Sequence, residues 1–443
     1  MDVLLVNPPL KIESPTEHLG LAYLAAVLRE RGDYEVEIID APLRGLSLPQ
    51  TVDEIARRRF KVLGISIPYQ EWALVPLRMA GMLRSRGLKA HITVGGFFPS
   101  FAYENLLKEF PGIDSVVIGE GEETFLELVT ALIQGDDWRG VDGIAYRDGD
   151  EVVCNPPRPL IKDLDSLPFA ERDTLPLALR RSGYASLLSG RGCYARCTFC
   201  SVVSFYGLSA GPRYRARSPE NVADEIEGLQ REFGVSKFFF HDANFIGPGQ
   251  AGRDRVRRLA QELLSRGLRI NFSIQCRADD VEEDLFSYLK EAGLRRVFIG
   301  IESGVQEVLD RFKKGVTVAQ NLEALEILKR LGLNMAIGFI MFDPDTKLED
   351  LVENVNFLKR AGVFGNERAT IDMLNRLQIF AGTPVEEALL REGRLRGTYL
   401  HYEYDIADPL AAMVYTVAKR LVDLKVAVKR VLGFRPGALE ELG

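Results

Sequence analysis

"GRGCYARCTFCS", residues 190–201, brings three of the chain's five cysteines, Cys193, Cys197 and Cys200, into one loop with C-x3-C-x2-C spacing. The loop leaves the end of "ASLLSG" (185–190), an apolar run of strand length. Beyond it, strands and helices alternate. "SPENVADEIEGLQREFG" reads as a helix, with Ser218 as N-cap, Pro219 at the first helical position, and Val222, Ile226, Leu229 and Phe233 along one face. "KFFFHDANF", "RINFSIQCRAD", "RRVFIGIESG", "NMAIGFIMF" and "ATIDMLNRLQIF" read as further strands, and Thr317 with Gln320 makes a capping box on one of the intervening helices. About six strands in residues 186–384 are too few for an eight-fold barrel, so a partial (β/α)6 barrel of TIM type is expected. Its chemistry belongs at the carboxyl ends of the strands: the cysteine loop, Asp242 with Asn244, Arg277, and Glu302 with Ser303. The two-residue period points Asn271, Ser273, Gln275 and Arg277 into the lumen and Cys276 toward the helices; it also turns Asp242 inward and His241 outward.

Three thiolates are an incomplete set for most metals. A structural zinc takes four ligands, and Cys154 or His241 stays open as the fourth. A [4Fe–4S] cluster is normally held by four thiolates. With three, one iron keeps an open position that can chelate a small molecule through an amine and a carboxylate. Five cysteines in 443 residues make no disulfide framework and indicate a reducing compartment, the cytoplasm.

Upstream, residues 1–134 repeat the alternation. "MDVLLVNPP" is a buried strand stopped by Pro8 and Pro9, and a helix follows with Leu21, Leu24, Ala25 and Leu28 on one face and Gly32 as its stop. "YEVEIID", "VLGISI", "AHITVGG" and "DSVVIGEGE" supply four more strands, which predicts a doubly wound, Rossmann-like parallel sheet. Ligands bind such sheets at the carboxyl ends of the strands, here Pro8, Ser66 to Gln70, Gly95 to Phe98 and Gly119 to Glu122. No G-x-G-x-x-G follows the first strand, which argues against a nicotinamide dinucleotide. Residues 135–185 form a bridge with a hairpin around Arg147 to Glu151.

A net charge of −7 provides no broad footprint for nucleic acid, and no apolar run approaches a membrane span. The extension 385–443 is expected to be mostly helical. Its amphipathic stretch, Val414, Val417, Leu421, Leu424, Val428 and Val431 interleaved with Lys419, Arg420, Lys425, Lys429 and Arg430, is expected to dock on the barrel rather than on a membrane surface.

The chain resembles the cobalamin-binding radical S-adenosylmethionine (SAM) enzymes. "VNPP", "HLGLAYLAAVLRERG", "VGGFFPS" and "GEGEETF" are similar to their N-terminal module, and "GCYARCTFC", "RARSPENVADEI", "FFHDANF" and "GIESG" to their catalytic module, over about residues 1–384. The resemblance implies that Cys193, Cys197 and Cys200 ligate a [4Fe–4S] cluster whose open iron holds SAM. Phe199, Asp242, Asn244, Arg277, Glu302 and Ser303 would lie around SAM. Pro8, His18, Ser66, Tyr69, Gln70, Gly95, Gly96, Phe97, Gly119, Glu120 and Gly121 would line the cobalamin site, with the lower face of cobalt near Tyr69 or Gln70. Three positions depart from the family pattern: Phe98 where a His is frequent, Ala243 within "FHDANF", and "FDPDT" (342–346) where "GxPGET" is usual.

The implied activity is methylation of an unactivated carbon of a small molecule, using a 5′-deoxyadenosyl radical and methylcobalamin, with an external electron donor of flavodoxin or ferredoxin type. A cyclase or rearrangement enzyme with the same cofactors is the near alternative. An iron–sulfur electron-transfer or zinc-binding protein is the remote one. A methylthiotransferase is disfavoured because residues 1–134 lack the cysteines for a second cluster.

Overall fold

The computed structural model describes residues 1–10 and 16–431, with side chains through Leu424. The first sheet contains β1 (Val3–Asn7), β2 (Val36–Asp40), β3 (Val62–Ser66), β4 (His91–Gly95), β5 (Ser115–Val117), β6 (Ile144–Asp148) and β7 (Glu151–Cys154). Its order is β2-β1-β3-β4-β5-β6-β7. The first five strands run parallel, and β1 and β3 are buried along their whole length, as a sheet covered on both faces requires. Separate apolar clusters fill the two faces, one around Leu4, Val6 and Leu63 and the other around Val3, Leu5 and Phe125. The hairpin expected in the bridge is β6–β7, and it extends this sheet antiparallel to β5. The helix Leu19–Gly32 ends at Gly32 as expected, but Asp33 rather than the glycine takes the left-handed cap, at φ 53°.

The second sheet begins with β8 (Ala185–Leu187). A two-stranded ribbon, β9 (Gly190–Arg191) with β10 (Arg215–Ala216), frames the cysteine loop. Then come β11 (Lys237–Phe240), β12 (Asn271–Arg277), β13 (Leu294–Glu302), β14 (Asn334–Phe339) and β15 (Ala369–Ile371). The order β15-β14-β13-β12-β11-β8 is a six-stranded parallel sheet whose edges do not meet, a partial barrel. Ser218 caps the helix Pro219–Phe233, and Thr317 with Gln320 closes the capping box of Val318–Arg330. Phe238, Phe240 and Phe272 are buried between strands and helices, and Cys276 joins them as strand parity predicted.

The extension is less uniformly helical than expected. It holds the helix Pro384–Arg391, a hairpin of β16 (Leu395–Thr398) and β17 (His401–Tyr404), and the helix Pro409–Val431. That last helix docks through its first turns: Ala411 is fully buried, and the Tyr415 ring meets Phe342 edge-on at 5.0 Å. Leu421 and Leu424 are then more than half exposed. The side chains of Lys425, Val428, Lys429, Arg430 and Val431 lie outside the described ones. Among the described residues no helix is long and apolar enough to cross a membrane.

Candidate active site

The carboxyl ends of both sheets border one cavity of about 1520 Å3. A drug-sized ligand needs roughly 300–1,000 Å3. From the first module, His18, Ser66, Tyr69, Gly95, Gly96, Phe97, Gly119, Glu120 and Gly121 line it. His18 caps its helix by accepting the Leu21 N–H on Nδ1 (3.2 Å), while its Nε2 pairs with Ser66 Oγ at 2.8 Å. Burial lowers this imidazole to about 4, so it stays neutral. Gly96 sits at φ 122°, and a Cβ there would lie 2.8 Å from the Ile67 carbonyl oxygen, so only bare backbone fits. Phe97 stacks on Phe205, from the short helix after the cysteine loop, at 4.3 Å. Two of the residues expected to face the corrinoid do not line the cavity. Pro8 is buried just past β1, and Gln70 turns away to accept the Ala381 N–H on Oε1 at 2.8 Å. Phe98 also points away, buried and stacked on Tyr399.

The cysteine loop adjoins the cavity: Gly192 and Val202 on either side of it line the wall, while Cys193, Cys197, Cys200, Phe199, Arg277 and Glu302 do not. Cys193 and Cys197 are buried and Cys200 is half-buried. Burial pushes all three thiols up, Cys200 to about 11, while Arg277 and Lys314 pull Cys193 and Cys197 back down. Arg277 Nη1 lies 3.7 Å from Cys197 Sγ, and Nη2 donates to the Lys314 carbonyl at 2.6 Å. Lys314 Nζ in turn donates to Glu302 Oε1 at 2.7 Å. Glu302 adopts φ 64°, a costly conformation for a side-chain-bearing residue, at the end of β13. Phe199 packs edge-on against Phe312 at 5.1 Å. Arg277, Glu302 and Phe199 therefore gather around the loop.

Asp242, Asn244 and Ser303 serve the loops behind it. Asp242 is fully buried, accepts the Ser189 N–H and Oγ–H (2.9 and 2.6 Å), and is raised by burial to about 6. Asn244 donates to Asp280 Oδ2 at 2.6 Å and accepts the Gly247 N–H at 2.6 Å. Ser303 Oγ donates to Asn354 Oδ1 at 3.0 Å. The expected parity of β11 is inverted. Phe238 and Phe240 fill the helix-side core, so Phe239, His241 and Ala243 face the cavity and Asp242 faces away. "KFFFHD" is apolar on both faces, which hides the phase of the strand from its pattern. Glu122, expected at a strand end, is on the cavity wall, and sequence reasoning passed over Asn7, Arg191 and Phe298 beside it.

A family model described as the radical SAM superfamily matches residues 187–358, and one described as the B12-binding domain matches residues 10–129. The chain is 32% identical over 380 residues to an uncharacterized methyltransferase of Pyrococcus horikoshii, which takes in 82% of this chain and 79% of that one. The chain belongs to the cobalamin-dependent radical SAM enzymes. It is also 32% identical over 351 residues to an anaerobic magnesium-protoporphyrin IX monomethyl ester cyclase of Rubrivivax gelatinosus, covering 75% of this chain and 60% of the cyclase. A solved structure of the cobalamin-dependent SAM radical enzyme OxsB, with aqua-cobalamin and SAM bound, superposes with a TM-score of 0.79 at 25% identity, over 95% of this chain and 66% of that one.

This radical SAM enzyme uses a [4Fe–4S] cluster, SAM and cobalamin, and its residues fit those groups. Among the described residues no three His, Cys, Asp or Glu side chains converge on a position for a single metal ion. Of the two candidate fourth zinc ligands, Cys154 is exposed on β7, and His241 Nε2 pairs with Ser186 Oγ at 3.0 Å. Three thiols spread over one largely buried loop, with Arg277 (paired to Asp279) and Lys314 (paired to Glu302) beside them, suit a polynuclear centre. On the corrinoid side, the Gly96 backbone gives close approach, and Asn7 Oδ1 on the cavity wall has no hydrogen-bond partner among the described residues.

Proposed function

We propose that this enzyme methylates an unactivated carbon of a small molecule. Cys193, Cys197 and Cys200 would hold the cluster, and Arg277 with the Lys314–Glu302 pair would border SAM beside it. Ser66, Tyr69, Gly95, Gly96, Phe97, Gly119 and Gly121 would face the corrinoid. The bound groups supply hydrogen-atom abstraction and methyl transfer. The chain's own contribution is placement and shielding. Phe239, His241, Gln275 and Phe298 line the barrel side of the cavity, where a substrate would be held between the two cofactors and away from water. The observation that carries this reading is the single cavity bounded by both modules, which the corrinoid-facing glycines border from one side and Gly192 and Val202, flanking the cysteine loop, from the other.

Cyclisation is the second reading, favoured by the Rubrivivax relative. We assign the enzyme to the cytoplasm, with a flavodoxin- or ferredoxin-type protein as electron donor. The two readings separate when cells with and without the enzyme are grown anaerobically on methyl-labelled methionine and their metabolites compared. Methyl transfer predicts a compound that gains the label and one carbon. A compound altered without change in carbon count would replace methyl transfer with cyclisation.

A further inference from the structure

The ribbon at the base of the cysteine loop carries an unusual pair. Arg191 and Arg215 are register partners across β9–β10, so their side chains are cross-strand neighbours. Two guanidiniums in that relation repel each other, and both are nearly buried, at 10% and 3% side-chain exposure. Each reaches out of the barrel to the same carboxylate in the other module. Arg191 Nη1 donates to Glu120 Oε1 at 3.0 Å, and Arg215 Nη1 donates to Glu120 Oε2 at 2.7 Å. The Ile161 N–H from the bridge also donates to Oε2, at 2.9 Å. Arg191 Nη2 donates to Glu122 Oε1 at 2.5 Å, and its guanidinium lies over the Tyr23 ring, 5.2 Å from the centroid. Two cations and two anions are thus sealed at the module boundary.

Burying such a set seldom adds net stability compared with apolar packing, so its value is geometric. Gly119 to Gly121 border the cavity from the first module, and Arg191 lies two residues before Cys193. Glu120 also borders the cavity, yet both its oxygens are committed to the latch.

We infer that Glu120, Arg191 and Arg215 are positioning residues, an inter-module latch that sets the separation between the corrinoid-facing loop and the cluster loop. A misplacement of about 1 Å in a reacting assembly costs roughly a hundredfold in rate, which is what such a latch guards against. The inference rests on the proposed function only in needing both cofactors at one cavity. Its test needs no turnover, so it can fail while methyl transfer stands, and the reverse.

The test uses anaerobic holoenzyme holding cob(II)alamin and the reduced cluster. The readout is the acceleration of cobalt spin relaxation by the cluster, which depends steeply on their separation, with iron and corrinoid content measured alongside. In Glu120→Gln we expect both contents to match the parent while the acceleration drops several-fold. Arg191→Lys, which keeps the charge but not the fork, should fall between. Asp114→Asn, which breaks the Arg84–Asp114 pair inside the first module and away from the cavity, is the control and should leave the acceleration unchanged. An unchanged acceleration in Glu120→Gln, an equal drop in Asp114→Asn, or loss of corrinoid or iron matching the drop would overturn the latch. Should Glu120→Gln fail to fold, Arg191→Lys decides alone: a drop with full cofactor content supports the latch, and no drop overturns it.

Discussion

Gly192→Ala tests how tightly the cysteine loop is built. Gly192 sits at φ 80°, one residue before Cys193, and a Cβ there would lie 1.7 Å from the Arg213 carbonyl oxygen and 2.9 Å from its carbon. Real Cβ contacts do not fall below 3.0 Å, so the loop or the ribbon must give way by about 1.3 Å. Both contacts are backbone, so no rotamer change relieves them. The left-handed conformation costs alanine about 1–2 kcal/mol, and overpacking adds about 1–3 kcal/mol. Together these put the loss at about 2–5 kcal/mol. Gly234→Ala supplies the reference. It has φ 65° at a helix end with nothing within 4 Å, so it bears the backbone cost alone. The assay is denaturant unfolding of both variants, with iron content after anaerobic reconstitution. Gly192→Ala should lose more stability than Gly234→Ala and should also lose iron, because the displaced residue leads directly into Cys193. Equal stability losses, or full iron content in Gly192→Ala, would refute the reasoning.

Replacing Cys193, Cys197 or Cys200 with Ala should abolish iron and sulfide binding, while Cys154→Ala and Cys276→Ala should retain both, as measured by metal and sulfide analysis. Burial lowers His18, His91 and His241 to about 4, so the folded chain resists protonation that the unfolded chain accepts. The stability they contribute is complete above the unfolded value near 6.5 and is lost as pH falls toward 4. His18 and His241 open partly onto the cavity, which reduces the effect below the full shift. Unfolding followed across that range should show the decline, and His241→Gln should flatten it. Phe298 is 43% exposed although it lies on a central strand, because it faces the cavity. Phe298→Ala should therefore cost less than the roughly 3–5 kcal/mol of a core Phe→Ala in unfolding experiments.

Much of the architecture is legible in the chain because its signals are local. Ser218 with Pro219 and Thr317 with Gln320 mark helix starts, and continuous apolar runs such as "VLLV" mark strands buried on both faces. The cysteine loop announces itself through spacing alone. What stayed hidden depends on long-range partners. The side of β11 that faces the cavity is set by which phenylalanines the helices cover, so His241 and Asp242 exchange their expected roles. Asp242 and Asn244 stand at the expected strand end, yet they are spent on Ser189, Gly247 and Asp280. Gln70 is drawn to Ala381, 311 residues away. Arg191 belongs to the site through its contact with Glu122 of the other module, which no periodicity encodes.

The account stands most directly on the fate of SAM. Once a methylated compound is identified, purified enzyme, reduced anaerobically with cobalamin and that compound's precursor, should be given methyl-labelled SAM. S-adenosylhomocysteine, 5′-deoxyadenosine and labelled product should then form in equal amounts, because one SAM supplies the radical and another the methyl group. Deoxyadenosine without S-adenosylhomocysteine, and a product free of label, would contradict methyl transfer.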